Sequence, residues 1–87
     1  MTSLGDDVLA ILQEETRSAI YDVNSTPTPY RVGGFAIRLH SRIESVIRVF
    51  SYLQRMGNPQ MVSRKVEVDE YLAKLGDLYD EVGRWDL

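Results

Sequence analysis

From Val32 to Leu53, apolar residues return at alternating intervals of four and three: Val32, Ala36, Leu39, Ile43, Val46, Phe50 and Leu53. The alternation recurs in Val68, Tyr71, Leu75, Leu78, Val82 and Trp85, with Leu72 and Tyr79 widening the stripe. On a helix this spacing gathers every member on one face, whereas on a strand it would scatter them over both. Each run is therefore a heptad seam that must be covered by another helix. Between the runs stands Met56-Gly57-Asn58-Pro59. Glycine suits the left-handed residue that closes a helix, asparagine caps the next one, and proline fits its first position. The chain is thus predicted to fold back on itself as a long antiparallel hairpin, with helices over about 30–56 and 59–84 and a turn at 57–58. Counting outward from the turn sets Phe50 near Lys65, Val46 near Tyr71, Leu39 near Leu78 and Val32 near Trp85.

Two stretches of the hairpin are less regular. Gly33-Gly34 disfavours helix, so the regular part of the first arm is expected from Phe35 onward. Residues 60–66 fit the seam poorly, and Val66-Glu67-Val68 has a locally extended pattern. A continuous second arm is still expected, because no breaker follows Pro59 until Gly76. Gly76 and Gly83 lie seven apart on one flank, where a neighbouring backbone has room to approach.

A further helix precedes the hairpin over about 4–23. Ser3 reads as its N-cap, with Asp6 at the capping-box position and Asp7 beside it, both favoured by the helix dipole. Val8, Leu9, Leu12, Thr16, Ala19, Ile20 and Val23 make its inner face, while Ile11 and Tyr21 fall off it. Pro27 and Pro29 end that helix within a linker at 24–29, and Thr28-Pro29 reads as cap and first residue of the next. The expected architecture is all-α: a long antiparallel helical hairpin plus an N-terminal helix, a three-helix bundle in one domain spanning 1–87. At ~1.5 Å per residue, the first helix reaches ~30 Å against ~38 Å for the hairpin, so it covers the hairpin incompletely.

Chemistry is sparsely represented. There is no cysteine, hence no disulfide, thiolate nucleophile or thiolate ligand. His40 and Glu44 have the four-residue spacing of two metal ligands, but no second histidine stands ready to complete a site. The paired acids Asp6-Asp7, Glu14-Glu15, Asp69-Glu70 and Asp80-Glu81 point about 100° apart on a helix and form no carboxylate dyad. No serine has a histidine and an acid at a recognised spacing, and Gly33-Gly34 opens a helix rather than a phosphate loop. The reading is a non-enzyme with no cofactor, metal or evident small-molecule substrate. No apolar run is long enough to span a membrane, and the first residues lack the character of a signal peptide, so the cytoplasm is expected.

Charge is segregated along this small acidic protein of pI ≈ 5.0. Residues 1–29 and 66–87 are acidic, whereas residues 30–65 hold seven basic side chains against Glu44 alone. Arg31, Arg38 and Arg42 are expected along one flank of the second helix, with Arg48 and Arg55 on its outward face. Like charges four apart, as in Arg38 and Arg42, need compensation. Carboxylates of the same chain, of a second copy or of a partner protein supply it in the leading reading. Nucleic-acid phosphate, with Tyr30 and Tyr52 stacking on bases, is the alternative. The second helix also carries more apolar residues than its seam accounts for: Ile37 and Ile47 on one flank, and Val49, Tyr52 and Met56 on the other. With Met61 and Val62 across the turn they predict a Met-rich contact surface at the hairpin tip. The expectation is a protein-interaction module, self-associating or acting as a small subunit, adaptor or inhibitor. Its contact residues are Tyr52, Met56, Met61, Val62, Arg38 and Arg42.

Overall fold

The computed structural model describes residues 8–85, so the capping residues expected at Ser3, Asp6 and Asp7 lie outside it. Among the described residues four helices follow one another: α1 (Val8–Ser25), α2 (Gly33–Arg55), α3 (Pro59–Ser63) and α4 (Lys65–Gly83). A short 3-10 turn, Thr28–Tyr30, joins α1 to α2. The fold is an all-α bundle in which α2 and α4 form the antiparallel hairpin and α1 leans mainly on α4.

All but one of the seam positions do what their spacing requires; Val32 is the exception, since it is extended, precedes α2 and is exposed. Ala36, Leu39, Ile43 and Phe50 of α2 are buried, as are Val68, Leu75, Leu78 and Val82 of α4 and Leu12, Ala19 and Val23 of α1. Val46, Leu53, Tyr71, Leu72, Tyr79 and Trp85 are half-buried around them. Thr16, buried on the same face, satisfies its hydroxyl on the Leu12 carbonyl at 2.7 Å.

The ends of α2 are set by backbone chemistry. Gly57 takes φ +78° and closes the helix, and the Asn58 N–H reaches back to the Leu53 carbonyl at 3.0 Å. Asn58 then caps α3, its side-chain oxygen accepting from the Gln60 and Met61 amides at 3.1 and 3.3 Å. At the other end the helix begins at residue 33 rather than 30. Val32 is extended and Gly33 has φ +58°, so the helical conformation starts at Gly34. Arg31 therefore precedes α2 and does not share its flank. Its Nε donates to the Thr26 carbonyl at 3.0 Å and its guanidinium lies 4.9 Å from the Trp85 ring centroid, tying the linker to the end of α4.

The continuous second arm is corrected. The helix breaks at Arg64 (φ −116°, ψ 38°), which separates the five residues of α3 from α4. Valines at 62 and 66 and Ser63 are mediocre helix formers, so the joint gives up little local preference. In return α3 turns toward the start of α1, where the Gln60 side-chain oxygen accepts the Leu9 amide proton at 2.7 Å. That bond ties α3 to α1 across 51 positions of sequence. The elbow also moves the register. The expected pairing of Val46 with Tyr71 and Leu39 with Leu78 would set Glu44 opposite residue 73, but the hydroxyl that meets it is that of Tyr79.

The two glycines of α4 also differ from expectation. A Cβ at Gly76 would meet nothing within 4 Å, whereas one at Gly83 would come 3.3 Å from His40 Nε2. Gly83 thus admits a side chain, not a neighbouring backbone.

Candidate functional site

A helix in a three-helix bundle can press only part of its circumference against two neighbours. On α2 the remainder is a line of exposed positions. At 100° per residue, Gly34, Arg38, Ser41 and Ser45 continue into Val49, Tyr52 and Met56 along one stripe, and every one of them is exposed. Val49, Tyr52 and Met56 are 54%, 55% and 66% exposed, so α1 and α4 leave all three to solvent. Ile11 of α1 extends the apolar end sideways: it shares with Val46, Val49 and Phe50 a shallow depression between α1 and α2. Polar Ser45 and Glu15 form its rim.

The residues expected to make contact are thus divided. Tyr52 and Met56 lie on the stripe. Met61 does not: it is fully buried beneath the elbow, because the Asn58 cap turns α3 inward. Val62 is exposed, but it faces a different feature, an open notch of about 450 Å³ at the α3–α4 joint. Its walls include Arg64, Lys65, Glu67 and Glu70. Arg64 and Lys65 pair along their own turn with Glu67 (3.8 Å) and Asp69 (2.6 Å). The hydrogen bonds from Lys65 and Gln54 hold the Asp69 carboxyl below its usual range.

The arginines are divided as well. Arg42 bridges to α1, 3.6 Å from Glu15 and 3.4 Å from Asp22, with Ser18 at 3.3 Å. Arg48 pairs with Glu44 at 2.8 Å. Together with Arg31, Arg64 and Lys65, five of the seven basic residues in 30–65 are engaged within the chain. Arg38 and Arg55 have no ion pair among the described residues. Arg38 borders a depression shared with Asp22, Phe35 and Arg42.

A second cluster sits where α2 meets α4. The His40 ring stacks on Tyr79, centroids 3.9 Å apart, and the Tyr79 hydroxyl donates to Glu44 at 3.1 Å. That bond raises the Tyr79 pKa above its ordinary value. His40 and Glu44 thus serve one aromatic residue between them. Among the described residues no three His, Asp or Glu side chains converge as a metal site, and no helix is long and apolar enough to cross a membrane.

The chain matches no protein-family model, no curated protein and no solved structure.

Sequence reasoning named Tyr52 and Met56 but missed the continuity of their line. The spacing 34, 38, 41, 45, 49, 52, 56 was present all along. Its first half is small or cationic, so apolar periodicity alone does not pick it out.

Proposed function

We propose that this chain is a non-enzymatic protein–protein interaction module of the cytoplasm. It would work as a homo-oligomer or as a small subunit, adaptor or inhibitor in a larger assembly. The observation that carries this reading is the alignment of Val49, Tyr52 and Met56 on the outer stripe of α2, exposed although the seams beside them are filled. Isolated surface apolar residues are ordinary, but adjacent large ones on a rigid helix make a contact surface with little ordering cost on binding. Internal ion pairing of the basic segment supports protein over nucleic acid as the partner, since Arg42 already has carboxylates on two turns of α1.

The test is in-cell cross-linking of the tagged chain, compared with Tyr52→Glu/Met56→Glu. Wild type should be recovered joined to protein, itself or another, and the variant should lose those species while keeping its helical circular dichroism. An unchanged set of cross-linked proteins would overturn the reading. Recovery of nucleic acid in place of protein would overturn it in favour of phosphate binding through Arg38 and its neighbours.

A further inference from the structure

We infer that the outer stripe of α2 is a self-complementary interface, and that its occupant is a second copy of this chain packed antiparallel across a two-fold axis at Ser45. The inference rests on the interaction reading above and names its partner. The stripe has two unlike halves: Gly34, Arg38, Ser41 and Ser45 are small or cationic, whereas Val49, Tyr52 and Met56 are large and apolar, all of them exposed. An isologous contact must set one patch against itself reversed. Reversal about Ser45 places Arg38 against Tyr52 of the second copy, Ser41 against its Val49 and Gly34 against its Met56. Val49 and Met56 then each meet a small residue and Tyr52 meets a cation, and the two Ser45 residues let the helices approach at the centre.

Electrostatics agrees with the same register. Arg38 has no ion pair among the described residues, so its guanidinium is available to lie over the second copy's Tyr52 ring. A parallel pairing would instead set Arg38 against Arg38 and leave each Tyr52 ring without a cation. The contact runs along the 23 residues of α2, about 35 Å, and is a single helix pair. It falls at the small end of specific interfaces, so dissociation in the micromolar range is expected.

The absence of cysteine makes the register directly testable. Ser45→Cys is expected to oxidise to a covalent dimer at about ten times the rate of Asp77→Cys, on exposed α4, because only residues near the axis meet their own copies at disulfide distance. Sedimentation equilibrium supplies the second arm. Arg38→Tyr and Tyr52→Arg should each weaken the dimer about tenfold, since two cation–π contacts are lost per dimer. The exchange variant carrying both changes should return to within about threefold of wild type, because the pair is restored with its members swapped. Equal oxidation of the two cysteine variants, a monomer at millimolar concentration, or no recovery in the exchange variant would overturn the inference. If the chain is monomeric yet Tyr52→Glu/Met56→Glu still abolishes cross-links to another protein, only the second copy is rejected and the interaction reading stands.

Discussion

At the scale of single residues, the firmest expectations concern backbone conformations that side chains cannot share. Gly57 has φ +78° and nothing within 4 Å of an added Cβ, so the cost of substitution there is conformational, not steric. Gly57→Val should lose on the order of 1–2 kcal/mol, with asparagine milder because it tolerates the left-handed region. A domain of this size moves by about 4–8 °C per kcal/mol, so thermal melts resolve the difference. Gly76 gives the opposite sign. It lies inside α4 with open space around it, and Gly76→Ala should raise stability by about 0.5–1 kcal/mol. The Asp69 carboxyl adds a pH signature. Hydrogen bonds from Lys65 and Gln54 lower its pKa when folded, so its contribution is present above the usual 3.8 and is lost as pH falls through the folded value. The melting-temperature gap between wild type and Asp69→Asn should therefore narrow on going from about pH 7 to about pH 2. A gap that widened toward acid would contradict that assignment. The charge is exposed, and the effect will be small.

At the scale of elements, the long seams were legible and the short joints were not. Ala36, Leu39, Ile43 and Phe50, and on the other arm Val68, Leu75, Leu78 and Val82, are buried as their spacing demanded, because period and burial are one physical fact seen twice. Gly57-Asn58-Pro59 likewise reads directly as cap and restart. The elbow at Arg64 carried no such sign. Neither glycine nor proline marks it, and a contact that accompanies it is distant in sequence: the Leu9 amide of α1, 51 positions from Gln60. The spacing around Met61 likewise points to a surface, whereas the turn of α3 buries it. These contacts make Gln60 a test of the elbow. Gln60→Ala should cost about 1 kcal/mol by removing the acceptor of the Leu9 amide, and amide exchange at Leu9 should accelerate more than exchange in α4. Asn58→Ala should cost a similar ~1 kcal/mol through the lost cap, without affecting Leu9 selectively. If both variants loosen Leu9 equally, α3 is not held to α1 through Gln60.

At the scale of the whole molecule, most of the basic residues in the middle segment are engaged inside the chain. The segregation was plain in the sequence; which arginines it would leave over was not, because that depends on how α1 lies across α2. Arg42 meets Glu15 and Asp22, Arg48 meets Glu44, and Arg31 stacks on Trp85. Arg38 and Arg55 remain. They are separated by about 26 Å along α2 and by about 100° around it, so one phosphate backbone cannot take both without also passing the acidic neighbours of Arg42. Two phosphate contacts would give a salt slope of only about −1.8 on logarithmic axes, far below that of a dedicated nucleic-acid binder. The net charge of −3 opposes approach of a polyanion from any distance beyond the Debye length. Fluorescence anisotropy with labelled single- and double-stranded oligonucleotides should therefore show no binding tighter than about 100 μM at near-physiological salt. Arg38→Gln should leave that result unchanged while weakening self-association. Submicromolar binding that falls steeply with salt and is lost in Arg38→Gln would reverse the order of the two readings, making α2 a phosphate-binding helix and its apolar stripe a secondary feature.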